Sequence, residues 1–173
     1  YVPSPDEVSL LIERASVNLK PCIALMAYAG MRASDIVDLK FKSVADEVVW
    51  NEQKKIYEPK KVPLKIVVKQ KKTGGYYVTF LGPKGSRILS LYLTKLRKSL
   101  GRPLKPDDKL FRYKTSKSII TLINRLIEQT MTRHPTSFHR FRPYSLRKYF
   151  RNAVRSLGEN IAEYLMGHVS GMN

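Results

Sequence analysis

The pattern that most limits how this chain can fold is a change of period in its middle. Helical spacing occupies roughly the first 40 residues and resumes near residue 84. Between them lie three β-rich stretches, Val48-Val49-Trp50, Leu64 to Val68 and Tyr76 to Phe80. Apolar residues recurring every three to four positions line one face of a helix, whereas β-branched and aromatic runs bounded by turn residues form strands. Gly74-Gly75 separates the last two runs, and paired glycines supply the positive φ angles of a tight hairpin. The expected fold is therefore mainly α with a small three-stranded antiparallel β-sheet, an α+β domain. No internal repeat or low-complexity linker divides it.

The helices announce their ends. Ser4-Pro5-Asp6-Glu7 reads as an N-cap, a proline at the first helical position and the glutamate of a capping box. Val8, Leu11, Ile12 and Ala15 follow at helical spacing. A second helix, about Pro21 to Tyr28, is apolar on most sides, which predicts burial, and Gly30 ends it. Ser34 is expected to cap a third helix carrying Ile36, Val37 and Leu39. Further helices are expected at about 84–100, 116–131, 143–157 and 159–166.

Charge narrows the function. The chain has 173 residues, 43% of them hydrophobic, and a net charge of +18. That is enough apolar material for one packed domain, and the positive excess repels itself unless a polyanion relieves it. Nucleic acid is the favoured partner. A membrane is not, because no basic amphipathic helix stands alone and no stretch is long enough to span one. Cys22, the only cysteine, lies in an apolar run, which predicts core packing and no disulfide within the chain. No signal peptide is visible, and the first residue is Tyr1 rather than Met, so the chain reads as part of something longer.

The positive charge is clustered. From Arg133 to Arg155 there are seven Lys or Arg and no Asp or Glu. Solvated helix faces normally mix signs, because like charges one turn apart repel, so this face is expected to meet phosphates. On the helix at 143–157, Leu146, Tyr149, Phe150, Ala153, Val154 and Leu157 form the apolar stripe, with Arg147 at its border. Between Gln53 and Lys72 there are eight lysines against one acid, Glu58. Lys72 stands out because the turn Thr73-Gly74-Gly75 puts it at a hairpin tip. Arg32 lies between two apolar helices with Asp35 close enough to orient it, or simply to pair with it. His168 follows Gly167 at a helix end and shares a face with Ile161, Tyr164 and Leu165, a position that packing or capping also explains. His134 and His139 lack metal-ligand spacing.

Four of these segments together resemble the tyrosine recombinase (phage integrase) family. Gly30-Met31-Arg32-Ala33-Ser34-Asp35 matches the family's Gly-x-Arg-x-Ser-(Glu/Asp) stretch. Lys72-Thr73-Gly74 matches its hairpin lysine. Tyr144-Ser145-Leu146-Arg147 matches its His-x-x-Arg, and Leu165-Met166-Gly167-His168 its Leu-(Leu/Met)-Gly-His. The motifs keep the family's order and span nearly the whole chain. The resemblance implies the tyrosine recombinase catalytic-domain fold over residues 1–173, with the N-terminal core-binding domain absent. It also implies site-specific DNA recombination or integration by cleavage and rejoining through a 3′-phosphotyrosyl intermediate, without metal or other cofactor.

In that reading Arg32, Lys72, Tyr144, Arg147 and His168 are the catalytic residues and Asp35 supports Arg32. The arginines bind nonbridging oxygens, Lys72 protonates the leaving 5′-oxygen, and Tyr144 and His168 hydrogen-bond the phosphate. Lys71, Arg140, Arg142, Lys148, Arg151 and Arg155 hold the DNA backbone. Two departures are visible: Tyr144 stands where the family has histidine, and the family's nucleophilic tyrosine is expected shortly after Asn173, so the 173 residues alone are expected not to cleave. The implied partner is double-stranded DNA, with a homo-tetramer forming on DNA at full length and a monomer for this stretch. The implied setting is cytoplasmic and DNA-associated in a prokaryotic host, with a viral or plasmid origin open. The rival readings are a type IB topoisomerase-like enzyme, a noncatalytic DNA-binding relative, and an RNA-binding protein with a basic helical face.

Overall fold

A computed structural model of the chain describes residues 1–131 and 141–168. Helices α1 (Pro5–Arg14), α2 (Lys20–Ala29) and α3 (Ala33–Val37) come first. Strands β1 (Val48–Asn51), β2 (Ile56–Pro59), β3 (Leu64–Lys69) and β4 (Tyr76–Leu81) follow. Helices α4 (Pro83–Leu100), α5 (Ser116–Met131), α6 (Pro143–Val154) and α7 (Glu159–Leu165) complete the described fold.

The capping box of α1 is formed: the Glu7 amide donates to Ser4 Oγ and the Ser4 amide to Glu7 Oε1, both at 3.1 Å. Helix α2 is the centre of the core, buried along nearly its whole length. Gly30 ends it at φ 70°, and the amides of Gly30 and Met31 bond back to Met26 and Leu25, the left-handed stop that glycine adopts without strain. A Cβ on Gly30 would sit 2.3 Å from Phe150 Cδ1, so α6 packs directly on this turn. Helix α3 begins two residues earlier than expected. The Arg32 carbonyl accepts from the Asp35 and Ile36 amides, which makes Arg32 the N-cap and puts Ser34 inside the helix.

The strands form two separate antiparallel ribbons rather than one three-stranded sheet. Val48 to Asn51 pairs with Pro59 to Ile56, and Leu64 to Lys69 with Leu81 to Tyr76. The segment Ile56–Pro59, not expected as a strand, folds straight back on β1. Its Tyr57 amide, which a further strand would claim, bonds Thr94 Oγ1 of α4 at 2.9 Å. In the second ribbon Leu64, Ile66 and Val68 and, opposite them, Tyr77, Thr79 and Leu81 face inward, as the two-residue repeat requires. Thr79 Oγ1 donates to the Ala29 carbonyl at 2.7 Å, which pins this ribbon to the end of α2.

The apolar stripe of α6 is shorter than its spacing suggests. Leu146 and Phe150 are buried and Tyr149 and Val154 half-buried, but Leu157 is 57% exposed. The chain tightens into a 3₁₀ turn at Arg155–Leu157, which breaks the α-helical period before Leu157 can join the stripe. Phe150 instead packs with Leu165 and Met166, so α6 and α7 share a small cluster beside the main core. Cys22 is buried in that main core, where desolvation pushes its thiol pKa up.

Candidate functional site

Three chain segments distant in sequence meet around the end of α2: the Gly30–Asp35 turn, the α6 helix, and the Met166–His168 segment that follows α7. The connection runs through Arg147. This side chain is 4% exposed rather than at a polar border. Its Nε donates to the Gly30 carbonyl and its Nη2 to the Met166 carbonyl, both at 2.9 Å. A planar guanidinium can serve two divergent acceptors at once, which an ammonium cannot. Burial, and then the neighbouring Arg32, lower its pKa.

Arg32 projects from the N-cap of α3 with 27% of its side chain exposed, its Nη1 lying 3.9 Å from Asp35 Oδ2. Asp35 is buried at 3%. Its Oδ1 accepts the Lys71 amide at 3.0 Å, while Oδ2 accepts no hydrogen bond among the described residues. Desolvation raises its pKa, partly countered by that amide and by the charges of Arg32 and Arg147. Asp35 therefore does more than orient Arg32: it ties α3 to the hairpin turn.

Gly167 shows how tightly these groups converge. Its φ is 81°, and a Cβ there would lie 2.7 Å from Gln70 Nε2, 3.0 Å from Arg32 Nη1 and 3.0 Å from Tyr77 Cε1. Only glycine leaves room for the backbone to pass at that point. His168 follows, anchored to Glu163 by its amide at 2.9 Å and by Nδ1 at 2.6 Å. Its side chain is one-third exposed. Two guanidinium groups thus stand near one buried carboxylate, a net positive cluster suited to an anion with several equivalent oxygens.

Tyr144 is half exposed on the first turn of α6, its ring 5.7 Å from the Arg147 guanidinium and 5.8 Å from Lys148 Nζ. Lys72 is exposed on the hairpin turn and makes no hydrogen bond or ion pair with the described residues. The turn faces a groove of about 730 Å³ beside Asp35, whose lining includes Lys40, Lys42, Lys69, Lys71 and Lys109.

The backbone-binding residues expected from sequence separate. Lys148 and Arg142 are exposed, and among the described residues Arg142 Nη1 reaches only the adjacent Phe141 carbonyl. Lys71 Nζ pairs with Asp38 at 3.6 Å. Arg151 binds Glu159 at 2.5 Å and Glu163 at 2.9 Å, and Arg155 lies 3.9 Å from Glu159. The acid-free run through Arg155 is thus answered from α7, which the fold brings alongside. Arg140, with His134 and His139, lies outside the described residues. Among the described residues, no three His, Cys, Asp or Glu side chains gather as a metal site would need.

Gln70, Tyr77 and Glu163 belong to this site and were not singled out from sequence. A signal existed for the first two. Inward alternation through Leu64, Ile66 and Val68 reaches Gln70, and the same alternation puts Tyr77 inside. A polar group at an inward position beside a catalytic motif is a candidate in its own right.

Comparison with protein-family models and with curated proteins gives no match. Solved structures do match in fold. The XerA recombinase superposes with a TM-score of 0.67 at 22% identity, covering 98% of this chain and 57% of that one. The lambda integrase catalytic core gives 0.59 at 18% identity, covering 94% and 92%. The XerH site-specific recombinase bound to difH gives 0.62 at 17% identity, covering 98% and 46%. The chain has the fold of a tyrosine recombinase catalytic domain, with which its two small antiparallel ribbons are compatible. It spans about half the length of XerA and XerH, and nearly all of the lambda catalytic core.

Proposed function

We propose that this chain is the catalytic domain of a site-specific DNA recombinase that cuts and rejoins duplex DNA through a 3′-phosphotyrosyl intermediate. The observation that carries the reading is the meeting of Arg32, Arg147 and the Gly167–His168 segment around one buried carboxylate, on a fold shared with XerA, XerH and lambda integrase. Structures of such neighbours bound to DNA, one a lambda integrase tetramer on a Holliday junction, support duplex DNA as substrate and a tetramer as the working assembly.

The chemistry follows from the residue types. A tyrosine oxygen attacks the scissile phosphorus and its proton passes to water. The phosphorus–O5′ bond breaks, and Lys72 gives a proton to O5′. The 3′-phosphate is left on the tyrosine, and the 5′-hydroxyl of another strand reverses the step. Arg32 and Arg147 stabilise charge on the nonbridging oxygens, while Tyr144 and His168 hydrogen-bond the same phosphate. Arg147 is already held by two carbonyls, so it acts as a pre-set donor that needs no reorganisation. We assign the nucleophile to a tyrosine beyond Asn173. The basic groove and Lys148 grip the backbone.

The test is covalent adduct formation on a nicked suicide substrate, without magnesium, by a chain extended through its natural continuation. Arg147→Ala should lower adduct formation at least about 100-fold. An adduct rate unchanged by Arg147→Ala would overturn the assignment. Duplex binding that persists while the wild type forms no adduct would favour the noncatalytic relative, for which Tyr144 in place of histidine is the supporting observation. Binding should also weaken with a log–log salt slope of about −0.9 per phosphate neutralised.

A further inference from the structure

Gln70 is 4% exposed and follows the last residue of β3. Its carboxamide is used at both ends: Nε2 donates to the Gly167 carbonyl at 2.5 Å, and Oε1 accepts the Thr73 hydroxyl at 2.7 Å. Its backbone closes the hairpin turn, its amide donating to the Gly75 carbonyl at 2.8 Å and its carbonyl accepting the Gly74 amide at 2.9 Å. Lys72 lies inside that turn. The turn is therefore hydrogen-bonded to the body of the protein at Asp35, through the Lys71 amide, and at Gly167, through Gln70, beside the exposed Lys71–Asp38 ion pair.

We propose that Gln70 is a positioning residue that couples the Lys72 turn to the Gly167–His168 backbone, so that the leaving-group acid and the phosphate-binding segment take up their places together. This rests on the role of Lys72 given above. A buried amide that loses one partner carries an unmet hydrogen bond, so its two bonds tend to form and break as a unit. The contact leaves no slack, because the Gly167 backbone passes so close to Gln70 Nε2 that even a methyl group there would collide. Asp35 holds the turn to α3; Gln70 is the side chain that hydrogen-bonds both the turn and the segment carrying His168.

Two measurements test the coupling. In amide hydrogen exchange of the 173-residue chain, Gln70→Leu should accelerate the Lys71 and Gly74 amides and the Gly167 and His168 amides together, roughly tenfold or more. Acceleration confined to one segment overturns the proposal. Thr73→Val removes the turn-side partner, along with the acceptor of the Gly75 amide at 3.1 Å, and serves if Gln70→Leu does not fold; acceleration of the Gly167 and His168 amides, which Thr73 does not touch, is then the readout. In strand cleavage by the extended chain, Gln70→Leu should slow reaction roughly ten- to a hundredfold, as a small misplacement of a reacting group does. Replacing O5′ by sulfur should restore the rate, because a thiolate leaves without a proton. Equal losses on oxygen and sulfur substrates would mean a merely structural role. Lys72→Ala is run alongside: if sulfur does not rescue it, Lys72 is not the acid, and the exchange measurement still decides the coupling.

Discussion

Replacing Arg147 with alanine should unfold this domain far more readily than its place on a basic helix implies. The side chain makes two charge-assisted hydrogen bonds, to the carbonyls of Gly30 and Met166, while 4% exposed. Each such bond contributes about 1.5–3 kcal/mol, and alanine leaves both acceptors without their partner. Against this, removal relieves a buried charge of its desolvation and of repulsion from Arg32, the two causes that depress its pKa. The net loss should be about 2–4 kcal/mol, below the simple sum of the bonds. With a urea slope of about 2 kcal/mol per molar, the midpoint falls by about 1–2 M. Arg147→Lys should lose about 1–2 kcal/mol, since one ammonium cannot reach both carbonyls in the fork geometry. Equilibrium urea unfolding of the 173-residue chain, followed by circular dichroism, reads both. Should Arg147→Ala lie within about 0.5 kcal/mol of wild type, the range of an ordinary surface change, the claim that Arg147 ties α6 to the α2 end and the Met166 segment is wrong.

Other substitutions probe the same region. Gly30→Ala should cost more than about 2 kcal/mol, since it adds left-handed strain to a clash with Phe150; a thermal midpoint equal to wild type would contradict the packing of α6 on that turn. Tyr77→Phe should raise stability by about 1 kcal/mol, because the buried hydroxyl has no hydrogen-bond partner among the described residues. A measured loss in urea would show that the hydroxyl is satisfied. Asp35 gives a pH signature. Burial raises its folded-state pKa, so the native state holds the proton to higher pH than the unfolded chain. Its contribution to stability therefore declines as pH rises from the unfolded value of about 3.9 through the folded one. Stability relative to Asp35→Asn should shift against wild type as pH rises above the unfolded value, and the opposite trend in urea midpoints would mean that Arg32 and the Lys71 amide outweigh burial.

The helices were legible wherever local chemistry sets them. Ser4 and Glu7 cap their own helix, Gly30 ends α2 by its own backbone freedom, and the apolar spacing of 116–131 marks a helix with those bounds. Interactions within a few residues are written in adjacent letters. The strand count was less legible, because pairing is a choice among distant edges. Ile56–Pro59 carries too little β signal to stand out, and it forms because Asn51–Lys55 turns it onto β1 and Thr94 takes its outer amide. The counter-charges of the acid-free stretch ending at Arg155 were hidden for a related reason: Glu159 and Glu163 come from the next helix.

The order of the four motifs, the basic excess and the hairpin turn belong to the sequence alone, because each is a matter of residue type and near spacing. That Arg147 is buried rather than bordering, that Asp35 holds a backbone amide of the hairpin, and that Gln70 joins the Lys72 turn to Gly167 were decided only when the chain closed on itself. Those contacts span tens of residues or more, and no local rule selects among long-range partners. Packing around α2 selects them, by bringing the Arg147, Lys71 and Gln70 donors each within reach of an acceptor.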